Sequence, residues 1–462
     1  MSKTEMNIEY VRKEDAPVLP PPINQVGIIG WLWRNGISSM TNFSTITGSL
    51  QSLFMILLTL VILYLGLNGI WTLVDFAFIQ AIWSDADELK RLACATTLQG
   101  GSLPEEWFGA CWPFIAAKSK LLIYGMYDIQ EIWRVNLTYF LLFAGIGWVV
   151  IERMPYRFEV GIFLLVIYPV IAFVLLTGGN LAVENSTSIS MILVCLLLSI
   201  LCFFIHRGFL GETLVATYTV ISIIRYIFIY ITIVTIIFSI DFGLVTVETD
   251  KWGGLLVTLV VAITGIVASL PLGILLALGR RSAMPVIRLL CVLFIEFWRG
   301  VPLITVLFMA SFMLPLFLPE GTDFNKLLRA LIGVTLFSAA YMAEVIRGGL
   351  QAIPKGQFEA ASALGLSYYQ TSRLIILPQA LVLVIPGIVN TFIGLFKDTT
   401  LVLIISLFDL LGMIQSSFAD PNWSTPVQSL TGYLAVACVF WVILFSMSRY
   451  SMFMEKKLRY EH

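Results

Sequence analysis

Gly356-Gln357-Phe358-Glu359-Ala360-Ala361-Ser362-Ala363-Leu364-Gly365, followed after nine residues by Ile375, Leu377 and Pro378, is the stretch on which the fold turns. It lies between two long apolar runs, is short, amphipathic and rich in small residues, and ends on a proline that cannot continue a helix. Such a segment, set here at 354–372, reads as a cytoplasmic elbow between two membrane-spanning helices, with a surface that another protein can grip.

Composition bounds what the elbow is attached to. Hydrophobic residues make up 58% of the chain and charged residues 12%, and the mean hydropathy is +0.91. That excludes a soluble domain and predicts an all-α polytopic membrane protein. The net charge of -1 and the absence of an arginine-rich stripe exclude nucleic acid as a partner. Two histidines, His206 and His462, cannot build a histidine-rich metal site.

Residues 1–47 are largely polar, contain Pro20, Pro21 and Pro22, and read as a cytoplasmic arm rather than a cleaved leader, held inside by Lys3, Arg12, Lys13 and Arg34. Residues 48–250 read as an accessory bundle. Its first span is 53–73, and the others are 137–152, 159–178, 190–205 and 224–241; 208–223 is ambiguous, apolar enough to lie along the membrane surface but too short to add a span. Arg153, Arg157, His206 and Arg207 mark cytoplasmic turns. Between the first two spans, residues 75–135 carry Asp85, Asp87, Glu88, Lys90, Arg91, Glu105 and Glu106 and form an extracytoplasmic loop. It contains Cys94 and Cys111, which either form a disulfide in an oxidising periplasm or stay as buried thiols. Cys195, Cys202, Cys291 and Cys438 lie in apolar runs as packing residues.

From Trp252 the pattern changes. Gly253, Gly254, Gly265, Ala268, Ser269, Gly273 and Ala277 supply a small face along which helices can approach and slide, with Pro271 interrupting the ladder and Arg280 and Arg281 closing the span inside. Spans at 284–318, 327–350, 381–406 and 430–448 complete a core at 251–450, and a basic tail at 451–462 follows with Lys456, Lys457 and Arg459. This gives about ten spans with both termini cytoplasmic.

Two polar patterns stand out. Glu296 with Arg299 and Glu344 with Arg347 are acid–base pairs three residues apart, each able to neutralise itself on one helix face. They read either as an inner gate that rearranges when the elbow moves or as static anchors of helix ends. The helix after Pro378 holds Asn390, Thr391, Lys397, Asp398, Thr399 and Thr400, which are costly in a bilayer unless they face protein or a wet cavity. Thr391 and Asp398 are seven apart and share a face, with Gly394 between them leaving room for a ligand. This face reads as a substrate path for a zwitterion, the rival being bridges to neighbouring helices.

The elbow resembles the EAA loop of ABC importer permeases. Further blocks extend the likeness: Phe297-Trp298-Arg299-Gly300-Val301-Pro302-Leu303, Ala340-Tyr341-Met342-Ala343-Glu344, Pro354-Lys355-Gly356-Gln357, Leu377-Pro378-Gln379-Ala380 and Phe396-Lys397-Asp398-Thr399. Together they are similar to the polar amino-acid family of these permeases, and Gly109-Ala110-Cys111-Trp112 is similar to the M-type subunit of general L-amino-acid transporters.

The resemblance implies that the last five spans form a type I permease core in a bacterial inner membrane, working with a second homologous permease subunit, two ATPase subunits and a periplasmic amino-acid-binding protein. It implies ATPase coupling through Gly356, Glu359, Ala360, Ala361 and Gly365, and substrate contact along Asn390 to Asp398. Thr391 supplies no acid there, which argues against a site dedicated to arginine or lysine and fits broad L-amino-acid use. No Walker A run occurs, so the chain is a transport subunit and not an enzyme, with ATP and Mg expected on the partner ATPase. The alternatives are an ion-gradient-driven secondary transporter, which wants midplane acids where only Asp398 qualifies, and a membrane scaffold, which leaves the polar helix unexplained.

Overall fold

The computed structural model describes residues 46–84, 90–179, 185–208, 215–317 and 325–460. Lys3, Arg12, Lys13, Arg34, Asp85, Asp87, Glu88, the stretches 180–184 and 209–214, and His462 lie outside the described residues.

In chain order the first helices are α1 (Ile46–Val74), α2 (Trp112–Tyr124), α3 (Ile132–Val150), α4 (Arg157–Thr177, through a π turn), α5 (Asn185–Gly208), α6 (Val215–Phe238) and α7 (Leu255–Arg280). They are followed by α8 (Pro285–Gly300), α9 (Leu303–Phe317), α10 (Lys326–Ala352), α11 (Lys355–Ala363), α12 (Tyr368–Ile405), α13 (Leu410–Ser417) and α14 (Gln428–Tyr460). There is no strand among the described residues, which show isolated bridges alone. Seven helices are long and apolar enough to cross a membrane, and α8 with α9 makes an eighth crossing if the bent pair is one span. The shorter apolar stretches Ile192–Cys202 and Ile224–Phe238 fall where the two remaining spans are expected.

Of the described residues, those up to Ala81 form one compact unit and those from Ile82 on a second. In the first, α1 is apolar on every side and exposes each side chain from Leu57 to Leu73, the character of a helix solvated by lipid.

The second unit is built around α7 against α10. At Gly265 and Gly273 a Cβ would come within 3.1 Å of Leu395 and 2.7 Å of Met342, so small residues set the helix separation. Pro271 lies within α7 without ending it. One apolar cluster near the start of α7 gathers Leu256, Leu303, Val334, Leu395 and Val402; another near its end gathers Ala277, Ile295, Met342, Ile346, Ile376 and Ala380.

Two expectations are corrected, both at prolines. The elbow does not end at Pro378: α12 begins ten residues earlier, at Tyr368, and runs through it. Thr371–Ile376 is wound as π-helix, which loosens the ladder where Pro378 has no N–H to offer Leu374. The run 284–318 is not one straight rod, because α8 and α9 meet at 101°. Pro302 drives Val301 to an extended backbone (φ -108°, ψ 131°), which stops α8.

At the end of the bundle away from the elbow, the described residues between Ile82 and Asp128 form a cap. Cys94 and Cys111 are joined in a disulfide. Trp83 stacks on Trp112 at 5.4 Å. The Cys111 N–H donates to Thr431 Oγ1 of α14 (3.0 Å), and Phe114 packs against Phe418 and Trp423. Lys118 pairs with Asp420 and holds that carboxyl below the usual carboxylate range. Gly125 and Gly254, with φ of 69° and 63°, bring backbones into contact where any side chain would strike Gly253 or Leu122. Replacing Cys94 by serine is expected to loosen the cap by about 2 to 3 kcal/mol. The check is faster proteolysis between Ile82 and Asp128 without loss of the membrane helices.

Asp409 starts α13, accepting the Gly412 N–H on Oδ1 (2.9 Å). The residue is fully buried, Oδ2 has no partner, and burial lifts its pKa from 3.8 to about 6. Between those values the folded chain keeps a proton that the unfolded chain has lost. Stability from this group is therefore lost as pH rises from about 4 to about 6, by at most about 1.4 kcal/mol per pH unit. Asp409→Asn, which keeps the cap but cannot ionise, is expected to flatten that part of the thermal-midpoint profile.

Of the accessory helices, α3 and α4 are tied to this end as well. Arg134 in α3, 1% exposed, pairs with Glu131 and donates to the Val245 carbonyl (2.8 Å). The Tyr127 hydroxyl donates to the Leu176 carbonyl (2.9 Å), and the Val247 N–H to Thr177 (3.0 Å).

Candidate functional site

The elbow is a short helix with a built stop. Gly365 adopts φ 73°, its N–H bonds the Ser362 carbonyl (3.0 Å), and the Leu366 N–H bonds the Ala361 carbonyl (3.2 Å). This pair of bonds satisfies the last carbonyls of α11 and needs a left-handed residue at the position Gly365 fills. The next helix starts at once: Ser367 and Gln370 form a capping box, the Gln370 N–H reaching Ser367 Oγ (3.3 Å) and the Ser367 N–H reaching Gln370 Oε1 (2.9 Å).

The two faces of α11 differ. Ala361 is buried at 1%, and Phe358 is half-buried against the apolar cluster at the end of α7. Gly356, Glu359, Ala360 and Gly365 are exposed, and so are the large side chains of Leu364 (76%) and Tyr368 (67%). A Cβ at Gly356 would meet nothing within 4 Å. The outer face thus carries an acid, small residues and two apolar side chains, the composition of a surface that awaits a partner.

About two turns back from the end of α10 lies an ion cluster. Glu344 Oε1 accepts from Arg280 Nη1 (2.6 Å), and Oε2 from Arg347 Nη2 (2.8 Å) and Nε (3.0 Å), with Arg299 Nη1 at 3.6 Å. Glu296 Oε1 lies 3.1 Å from Arg280 Nη2, and the Arg299 guanidinium stands 5.8 Å from the Tyr341 ring centre. Of the two expected pairs, Glu344 with Arg347 forms. Glu296 with Arg299 does not, because Arg280 arrives from α7 between α8 and α10 and takes Glu296 instead. Three arginines and two glutamates therefore share one site with Glu344 at its centre. Arg280 was legible only as a charge closing a span; spacing within one helix carries no sign of a partner on another.

On α12 the exposed residues Leu383, Pro386, Asn390 and Lys397 recur at helical spacing and form one face, with Gly394 beside them and open space where its Cβ would be. Thr391 and Asp398 are half-buried one step round the helix, and the Thr391 hydroxyl donates to the Gly387 carbonyl (2.9 Å). Thr399 is 1% exposed and donates to the Phe396 carbonyl (2.9 Å), so it packs inward instead of along that face. An open apolar groove lined by Thr264, Leu328, Leu331, Ile332, Thr335 and Leu336 lies between α7 and α10 and contains none of these residues.

Comparison with known proteins gives concordant matches. Residues 269–460 match the family described as binding-protein-dependent transport system inner membrane component. Over 441 residues, 96% of each chain, the sequence is 41% identical to the inner membrane amino-acid ABC transporter permease protein YhdY of Escherichia coli (strain K12). It is 40% identical to the glutamate/glutamine/aspartate/asparagine transport system permease protein BztC of Rhodobacter capsulatus, over 98% of this chain and 99% of that one. Among solved structures, an amino acid ABC transporter crystallised with histidines is similar over 44% of this chain and 92% of its own, at 28% identity and a TM-score of 0.40.

Proposed function

Because the chain belongs to the amino-acid ABC transporter permeases, a transport component and not an enzyme, we propose that it forms one half of an ATP-driven importer for L-amino acids. The family implies ATPase and binding-protein partners for this multi-pass inner-membrane protein. Our reading adds a second homologous permease, two ATPase subunits that hold ATP and Mg, and one periplasmic amino-acid-binding protein.

The observation that carries it is the elbow: a helix stopped by Gly365, with Phe358 packed on the bundle, Ala361 buried, and Glu359, Ala360, Leu364 and Tyr368 exposed. That is the form of a lever with one face for the membrane helices and one for a motor. We place it in the cytoplasm with both termini, and the disulfide-bearing cap in the oxidising periplasm. The bundle boundaries at 48–250 and 251–450 belong to the same proposal. Nucleotide binding closes the ATPases and shifts the pore between outward and inward openings, through their differential affinity for the two states.

For the substrate, Asn390 and Lys397 offer an amide and an ammonium on one exposed face of α12, suited to the carboxylate of an amino acid. We propose a broad spectrum of L-amino acids. The name of the Rhodobacter relative, which covers acidic and amide side chains, agrees with it.

The test is uptake into vesicles holding the complete complex. ATP-dependent accumulation of a labelled L-amino acid is expected. Uptake driven by a proton or sodium gradient with this chain alone would replace the import reading with a secondary transporter.

A further inference from the structure

Arg281, next to the Arg280 of the ion cluster, makes a different set of contacts. Its Nη1 donates to the Leu350 carbonyl (2.8 Å), and its guanidinium stands 5.7 Å from the centre of the Phe358 ring. Leu350 is in the last turn of α10, where carbonyls lack helical partners, and Phe358 is the half-buried aromatic of α11. Arg281 thus grips the lever and the helix end above it. Arg280, one residue back, grips Glu344 on α10 and Glu296 on α8.

We propose that Arg280 and Arg281 are the link that carries movement of α11 into the Glu344 cluster, with Arg281 as a positioning residue for coupling. The geometry makes the connection short. The Cα atoms of neighbouring residues are about 3.8 Å apart on a stiff peptide, so a shift of Arg281 with Phe358 is passed to Arg280 with little loss. Hydrogen bonds tolerate displacements of a few tenths of an ångström. A movement of about 1 Å is enough to break the 2.6 Å contact of Arg280 with Glu344. The ion cluster then opens when the lever moves, rather than standing as an anchor. This inference rests on the import reading.

The experiment uses the full complex in vesicles, with ATP hydrolysis and amino-acid uptake measured on the same preparation and ATPase content checked by copurification. Arg281→Ala and Phe358→Ala are each expected to keep hydrolysis and assembly but lower uptake per ATP about tenfold, and the double variant no further. Phe358→Tyr keeps the ring and is expected to keep the ratio. Arg281→Lys keeps the charge but not the fork, and is expected to fall between. An unchanged ratio in both alanine variants overturns the proposal. Hydrolysis and uptake falling in proportion, or additive losses in the double variant, overturn it too, since Arg281 would then be only part of the scaffold. Wild-type vesicles without ATP-driven uptake would overturn the import reading itself, and this inference with it.

Discussion

Glu344→Ala is expected to abolish amino-acid uptake and to lower the stability of the permease by about 3 to 5 kcal/mol. The Glu344 side chain is 15% exposed and faces three guanidinium groups. Its removal leaves Arg280, Arg299 and Arg347 with Glu296 as the remaining acid, which is 55% exposed and reaches Arg280 alone among them. The expected loss is therefore mostly repulsion and poor solvation of the charges left behind, more than the worth of the bonds removed. Glu344→Gln keeps an acceptor without the charge and is expected to retain part of the stability and little of the uptake. Thermal unfolding and uptake on matched preparations check both. An alanine variant within about 1 kcal/mol of wild type would put the cluster with surface ion pairs and remove its claim to a role.

Gly365→Val is expected to leave ATP hydrolysis running and to cut uptake by about tenfold or more. The cause is backbone conformation, not space, because a Cβ at Gly365 would meet nothing within 4 Å. A β-branched residue pays about 1 to 2 kcal/mol to hold φ near 73°. The elbow would relieve that strain by unwinding its stop, releasing the Gly365 and Leu366 N–H groups from α11 and tilting the lever relative to α12. Hydrolysis and uptake rates measured together check it, and Gly365→Asn, which tolerates the left-handed region, is expected to lie near wild type. Loss of both rates in proportion would point to failed assembly instead.

What was legible from sequence was whatever a single segment decides. Hydropathy located the seven helices that, among the described residues, are long and apolar enough to cross a membrane, because each satisfies its own backbone and declares itself locally. The elbow could be read because its small residues lie between two apolar runs, whereas its left-handed stop at Gly365 could not, because the proline rule puts the end at Pro378. The Cys94 and Cys111 pair stood out as the cysteines of a polar loop, and they are bonded. What was not legible depends on meetings between segments. The capture of Glu296 by Arg280 requires knowing that α7 ends between α8 and α10, which no spacing within α8 records. Thr399 lies two residues past the exposed Lys397, on the opposite side of the helix, and turns into the core. The prolines misled in the opposite direction: Pro378 marks a helix end by rule, but the π turn at Thr371–Ile376 accommodates it, while Pro302 ends a helix where hydropathy saw one continuous rod.

These elements share one mechanical dependence. On the proposed import reading, the cap, the glycine-lined contact of α7 with α10, and the ion cluster produce transport only if a foreign motor moves α11. Placing a photoreactive side chain at Ala360, on the exposed face of that helix, in the assembled complex tests this most directly. The account predicts a covalent adduct with the ATPase subunit whose yield changes when nucleotide is added. An Ala360 probe that never reaches the ATPase, or that is labelled by a membrane-impermeant reagent from the side of the disulfide-bearing cap, would contradict it.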